Sequence, residues 1–367
     1  MQNTYCSRCC QLLTRPKLMV KDGACGACLW EEEKKYINWN DRLVQLKEVV
    51  KRAKIRAKVR DTYDCAIGVS GGKDSTFQAL YAKKDLGLNC LLVSAAPDEI
   101  TEVGQHNFDN LLSKGFDCIR IFTDITLVKQ LMKRDFFKYC HFRKANEYPL
   151  WASTFRMAKM HNIPLIIQGE NAALTLGVSE DMNMDWDAST ICKTNTIAGA
   201  TAREHYIEVP ENALYTYQFP DMSDWDGQAI WLNYFIENWS SFNNAMYASC
   251  AGALSRTDDD RMSTGRLYSH TCVDSDFHIV SQMHKYYKFG FGFATDEACE
   301  DVRQGRMSRE DGFKVIEKFD GLCHPIYVKR FCDFIGITED EHWKTVEQFK
   351  KYDPWSRWET QSNARYS

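Results

Sequence analysis

No stretch of this chain reaches the roughly 18 consecutive apolar residues that a membrane span needs, which excludes a spanning helix on sequence grounds. The N-terminus, Met1-Gln2-Asn3-Thr4-Tyr5, has no apolar leader region, so a soluble cytoplasmic protein is expected. Basic residues are not in excess: 46 Lys and Arg face 50 Asp and Glu, for a net charge of -4. That leaves no broad basic footprint and argues against a dedicated nucleic-acid binder. Internal repeats and low-complexity tracts are also missing, which excludes a solenoid and a largely disordered chain.

What is present is an ordinary globular balance. The chain has 367 residues, enough for two or three domains and a sizeable core. Hydrophobic residues make up 44% and charged residues 26%, the proportions of an ordinary globular protein. Aromatics, at 13%, crowd the second half and suit a core, a sugar or base platform, or a partner interface. In a reducing compartment, fifteen cysteines read as metal ligands and buried thiols rather than as disulfides.

The first strong pattern lies in residues 1–35. Cys6-x2-Cys9 and Cys25-x2-Cys28 are separated by fifteen residues, the spacing of a four-thiolate zinc site. Each short loop presents two sulfurs to one tetrahedral ion, and Gly23 and Gly26 permit tight turns. Cys10 leaves the first pair open, because Cys6-x3-Cys10 is a possible spacing too. Four protein ligands close the coordination sphere, so the zinc is expected to be structural. A basic amphipathic helix follows near 40–58, with Leu43, Leu46, Val50 and Ala53 at helical spacing; it is read as a linker.

From residue 61 to 171, strand and helix patterns alternate. Apolar runs at 65–69, 90–96, 118–122 and 165–167 are separated by helical patterns near 75–86, 102–114, 126–139 and 151–161. Continuous apolar strands between helices imply an α/β fold with a parallel sheet covered on both faces. Ligands in such sheets sit at the carboxyl ends of the strands. Three ends are informative: Ser70–Thr76; Ser94-Ala95-Ala96-Pro97, small enough for an adenine to lie against backbone; and Gln168-Gly169-Glu170-Asn171.

The Ser70-Gly71-Gly72-Lys73-Asp74-Ser75-Thr76 turn has the chemistry of a phosphate cradle. Backbone N–H groups and a helix N-terminus attract anions, Lys73 adds a mobile cation, and Ser70, Ser75 and Thr76 add hydroxyls. Asp74 is a candidate magnesium ligand. Asp74 follows Lys73 where a Walker A loop needs Ser or Thr, and no G-x-G-x-x-G is present, so neither of those nucleotide motifs applies.

Ser-Gly-Gly-Lys-Asp-Ser at a first strand-to-helix turn resembles the PP-loop ATP pyrophosphatases (adenine nucleotide α-hydrolase-like), which split ATP between the α and β phosphates. The cysteine-rich start, this loop, Gly169-Glu170-Asn171, Lys288–Gly292 with Ala294-Thr295-Asp296, and Arg303-x2-Arg306-Met307-Ser308-Arg309-Glu310-Asp311 together resemble the N-acetyl sugar amidotransferases. Phe319-Asp320-Gly321 and Ile335-Gly336-Ile337-Thr338 extend the match, which spans roughly residues 5–350 and is loose over 172–275. Phe293 departs from it, standing where that family's Gly-x-Ala-Thr-Asp segment has Arg, and this bears on substrate choice.

The resemblance implies four regions: a zinc ribbon at 1–35, a linker helix at 36–60, a PP-loop ATPase domain at 61–185, and a helical, aromatic-rich substrate and partner region at 186–367. It also implies conversion of a sugar N-acetyl group to an acetamidino group through an adenylated intermediate, with ATP, Mg2+ and structural Zn2+. Lys73, Asp74 and Glu170 would be catalytic. Ser70, Gly71, Gly72, Ser75, Thr76, Ala95, Gly169 and Asn171 would line the nucleotide site. Lys288, Asp296, Arg303 and Arg306 would bind a sugar or sugar nucleotide. No glutaminase constellation can be assigned, so ammonia is expected from a separate glutaminase with a channelling barrel subunit, docking on the aromatic surface of 186–247. The rival is a PP-loop tRNA-thiolation enzyme, which needs a catalytic cysteine pair; Cys140 and Cys192 stand isolated.

Overall fold

The computed structural model describes residues 5–95, 99–178, 184–194, 200–257 and 260–352. A two-stranded ribbon, β1 (Val20–Lys21) and β2 (Ala24–Cys25), opens the chain and runs into helix α1 (Gly26–Glu33). The long helix α2 (Trp39–Arg60) follows, started by the Asn38 side chain, which accepts from the Asn40 and Asp41 N–H groups. The central sheet is formed by β3 (Cys65–Gly68), β4 (Cys90–Ala95), β5 (Asp117–Ile121), β6 (Leu165–Gln168) and β7 (Gln228–Trp231). All neighbours are parallel, in the order β5-β4-β3-β6-β7.

Of the four apolar runs, β3, β4 and β6 bury both faces, while β5 lies at the sheet edge and is only partly buried. Along β3, Cys65 and Ile67 enter one core and Ala66 the other; Leu92 and Leu91 do the same on β4, as do Ile167 and Ile166 on β6. The first face is covered by α2, through Leu46, Val49, Val50 and Ala53, and by α3 (Lys73–Lys84). The helix expected to be a linker is therefore a cover of the sheet. The second face is covered by Phe155, Met157 and Ala158 of a helix that runs from Lys144 to Met160. That helix begins earlier than its expected start near 151 and accommodates Pro149 in its second turn, with Ala145 and Tyr148 fully buried. Helices Glu102–Leu112 and Ile125–Tyr139 complete the alternation; in chain order these three are α4, α5 and α6.

The sheet does not stop at residue 185. Its fifth strand, β7, comes from the aromatic-rich segment expected to be helical, and pairs Ile166 with Ala229 and Ile167 with Ile230. After it the chain is helical: α7 (Ser241–Cys250), α8 (Phe277–Phe289), α9 (Phe293–Arg303), α10 (Arg309–Phe319), α11 (Pro325–Ile335) and α12 (Glu339–Phe349). Helices α5, α6, α8, α11 and α12 share one apolar core. Of the tryptophans expected on a docking face, Trp231 and Trp239 are buried and Trp186 and Trp225 pack against the two sheet cores, so these rings mostly fill the interior. No described helix is long and apolar enough to cross a membrane.

Candidate active site and cysteine centre

The loop from β3 to α3 is held by its own polar groups. The Gly72 N–H donates to Ser70 Oγ at 3.3 Å, and Ser75 Oγ donates to the Gly72 carbonyl at 3.0 Å. Gly71 has φ +88°, and a Cβ there would stand 2.9 Å from the Gly104 carbonyl oxygen and 3.2 Å from the Phe108 nitrogen, so this turn needs glycine. Gly72 caps α3 without a side-chain acceptor, leaving the helix N-terminus to an outside anion. Lys73 Nζ lies 2.7 Å from Asp74 Oδ2. Burial opposes its charge, but the Asp74 carboxylate beside it holds the ammonium above the usual lysine range.

Lys73, Asp74 and Glu170 face one cavity of about 200 Å³. Glu170 stands exposed in it, ringed by protein. That enclosure, with the Asp74 carboxylate next to it, pushes the Glu170 pKa up to about 7, against the pull of Thr175 and Lys73. Two carboxylates facing one cavity fit a divalent cation, which would relieve their repulsion; Asp74 and Glu170 are the residues that would hold magnesium.

Two helix faces close the cavity. Ala27, Trp30, Glu31 and Lys34 come from α1 and the turn after it, at i, i+3, i+4 and i+7. Phe293, Asp296, Glu297, Glu300 and Arg303 come from one face of α9. The expected substrate residues Asp296 and Arg303 thus reach the cavity of the phosphate loop. Asp296 is ion-paired to Arg15 of the cysteine module and, at 2.7 Å, to Lys285; burial works to raise its pKa, but these two cations hold it below the usual range. Lys288 and Arg306 are not among the cavity's lining. Lys288 donates to the Tyr139 carbonyl at 2.6 Å, and Arg306 binds Asp301 at 2.6 Å. Asn171 is used locally: its side chain caps the helical turn 172–175 and its N–H donates to Asn233 Oδ1 at 3.1 Å. Gly169 accepts from the Asn233 N–H at 3.0 Å. Ala95 ends β4 beside β3, buried; Ala96 and Pro97 lie outside the described residues.

Sequence reasoning missed several groups here. Asn244 of α7 is buried and its Nδ2 donates to Asp74 Oδ1 at 2.9 Å, fixing that carboxylate from a segment without a recognisable motif. Glu297 is buried next to Asp296 and bonded to the 267–271 loop. The α1 face was legible in its spacing, but the cysteines drew attention away from it.

Cys6, Cys9, Cys25 and Cys28 bring their sulfurs within 4.8 Å of one another, the one metal-ligand cluster among the described residues. Cys6 and Cys28 are 3.8 Å apart and Cys9 and Cys25 3.7 Å. Tetrahedral zinc with bonds of about 2.3 Å would separate its sulfurs by about 3.8 Å, so the donor set fits that ion. The Arg8 and Cys25 N–H groups donate to Cys6 Sγ at 3.4 and 3.2 Å, as zinc knuckles require. Cys10 is turned away, its thiol donating to the Arg309 carbonyl at 3.4 Å, which decides the first pair for Cys9.

The cysteine centre is joined to the cavity. Arg309 of α10 donates to the Cys6 and Cys9 carbonyls at 2.8 and 3.0 Å. Gly26 and Gly177 pack so closely that a Cβ on either would fall 2.9 Å from the other's Cα, which presses α1 against the segment after Glu170. Arg303 lines the cavity and donates to the Thr175 carbonyl at 3.4 Å; burial opposes its charge, but the sulfurs of Cys299, Cys9 and Cys28 hold it above the usual arginine range. Away from the centre, burial pushes the Cys140 and Cys192 thiols up to about 12, which keeps both protonated and poorly nucleophilic.

A search of curated proteins gives no match. Among solved structures the chain is similar to NMN synthetase from Francisella tularensis, with 14% identity, a TM-score of 0.28, and coverage of 61% of this chain and 100% of that one. Residues 265–366 match the family model described as "LPS biosynthesis protein WbpG-like, C-terminal domain". Residues 265–366 are thus similar to a WbpG-like C-terminal domain, and they follow a parallel five-stranded sheet and a four-cysteine module.

Proposed function

We propose that this protein is an ATP-dependent amidotransferase of lipopolysaccharide biosynthesis, forming AMP and pyrophosphate as it turns a sugar N-acetyl group into an acetamidino group. The observation that carries this reading is the shared cavity: the phosphate loop, through Lys73 and Asp74, and the WbpG-like domain, through α9, face the same space. An ATP-splitting loop that meets a surface-sugar domain calls for activation of the sugar by the nucleotide.

In this reading the Gly71–Gly72 backbone, Lys73 and Ser75 hold the pyrophosphate leaving group, and adenine lies against Ala95. Magnesium held by Asp74 and Glu170 would supply charge neutralisation at the phosphates. The acetamido oxygen attacks the α-phosphorus, pyrophosphate departs, and ammonia then displaces AMP from the adenylated carbon. The two helix faces align the sugar with the phosphate, the entropic part of the task. Ammonia comes from a separate glutaminase partner. The thiolation alternative gains no support, since Cys140 is buried and Cys192 half-buried, and both thiols stay protonated.

The test is product analysis with ATP, ammonium chloride and a panel of free and nucleotide-linked N-acetylhexosamines. One substrate of the panel is expected to give AMP, pyrophosphate and a product 1 Da lighter than the sugar (about 1, the exchange of O for NH). Lys73→Ala should lower the rate at least about 100-fold. ADP as product, or full activity in Lys73→Ala, would overturn the reading.

A further inference from the structure

Glu297 has no role in the steps above, yet it is a carboxylate at the wall of the reaction cavity. It is 7% exposed. Its Oε2 accepts from the Leu267 N–H at 2.6 Å, and its Oε1 accepts from the Thr271 hydroxyl, which lines the same cavity. The charged groups that act on it are Arg266 and Lys73, and it acts in turn on Tyr268; Asp296, Glu300 and Arg303 share its helix face, and His270 stands in the loop it holds. Burial raises the Glu297 pKa to about 7, while Thr271, Leu267, Arg266 and Lys73 work to lower it. A carboxylate needed only as a staple for the 267–271 loop would gain from full ionisation. One balanced near neutrality, beside a hydroxyl on the cavity surface, suits proton transfer.

We propose that Glu297, with the Thr271 hydroxyl as its link to the cavity, is the general base for the nitrogen step. This rests on the amidotransferase reading. As the nitrogen lone pair forms the new C–N bond, Glu297 takes one proton from that nitrogen. The C–O bond to the adenylyl group breaks and its electron pair leaves on AMP. The proton then passes to the sugar-side nitrogen of the amidine, so atoms and charge balance without another reactant.

The two half-reactions separate this role from a structural one. Acceptor-dependent ATP–pyrophosphate exchange without ammonium reports adenylation alone, and amidine formation with ammonium chloride reports the nitrogen step. Glu297→Gln is expected to keep exchange within about threefold of wild type and to lose amidine formation by about 100-fold or more. At a fixed concentration of free ammonia, wild-type amidine formation should rise with pH through about 7 and then level off; in Glu297→Gln this rise should be absent. Hydroxylamine, a stronger nucleophile whose adduct sheds its proton to water more readily than that of ammonia, should restore much of the variant's turnover. Thr271→Val, which keeps the side-chain volume, should show a smaller loss with the same split. Equal loss of exchange and amidine formation, or no rescue by hydroxylamine, would overturn the assignment. If wild type itself shows no acceptor-dependent exchange, the amidotransferase reading fails first.

Discussion

Replacing Cys28 by Ser tests whether the cysteine module is a wall of the active site rather than an appended unit. Cys28 is on α1, between cavity residues Ala27 and Trp30. A four-ligand zinc site is worth roughly 10–16 kcal/mol of folding free energy, so one thiolate carries about 3–4 kcal/mol and its loss should weaken metal affinity about 100- to 1000-fold. Nothing local replaces that energy. Helix α1 has 8 residues and the ribbon strands 2 each, well short of the roughly 12–15 residues at which an isolated helix becomes stable even marginally. The remaining ties are Arg309 to two carbonyls, the Cys10 thiol to the Arg309 carbonyl, Arg15 to Asp296, Thr14 Oγ1 to the Phe289 carbonyl at 2.9 Å, the Met19 N–H to the Gly177 carbonyl at 2.8 Å, and an apolar cluster with Cys299, Val302, Phe313 and Ile316. Metal content by mass spectrometry should fall below one ion per chain. Hydrogen exchange should accelerate over residues 24–36 while β3, β4 and β6 stay protected. The KM for the sugar should rise more than that for ATP, because the phosphate loop is held by the sheet and α1 is not. Metal loss with unchanged protection of α1 and an unchanged sugar KM would refute the reasoning.

Two further perturbations probe the loop and its carboxylates. Gly71→Ala forces a side chain into φ +88°, at about 1–2 kcal/mol, and sets its Cβ 2.9 Å from the Gly104 carbonyl oxygen; chemical denaturation should show a loss of about 2–4 kcal/mol, and a change under about 0.5 kcal/mol would contradict the steric account. Glu170, raised to about 7 by enclosure and by Asp74, must shed its proton to bind magnesium. Below pH 7 the affinity for Mg·ATP, measured by calorimetry, should therefore fall about tenfold per pH unit with proton release on binding, and Glu170→Gln should bind weakly with no such slope. A wild-type affinity flat from pH 5.5 to 8 would remove Glu170 from the metal site.

The fold was largely legible because its strands obey a strong rule. A strand buried on both faces must be almost wholly apolar, and residues 65–69, 90–93 and 165–167 are apolar throughout. Strand β7 escaped because Ala229-Ile230-Trp231-Leu232 sits among other aromatics, where an apolar run has no contrast with its surroundings. Helix α6 was placed late because Pro149 reads as a boundary, while the burial of Ala145 and Tyr148 outweighs the one hydrogen bond that proline removes.

The site was legible only where chemistry is compressed into a local motif. The phosphate loop works through consecutive backbone groups and the cysteine centre through two knuckles, so both leave a fixed spacing in the chain. The cavity they serve is assembled from helix faces far apart in sequence, and such a face is written every third or fourth residue, diluted by residues that face elsewhere. Asn244 shows the limit: its amide holds Asp74 from 170 positions away, and nothing around it marks the residue. Lys288 and Arg306 show the converse. They stand within segments that resemble a family, but one is spent on the Tyr139 carbonyl and the other on Asp301, while Glu297, silent in the motif, reaches the cavity. A resemblance therefore locates the segment that meets the cavity, and the helical phase of α9 decides which of its residues do so. By that phase Phe293 lies on the cavity side, its ring 5.5 Å from the buried Arg266 guanidinium, so the position that departs from the resemblance is one that shapes the cavity wall.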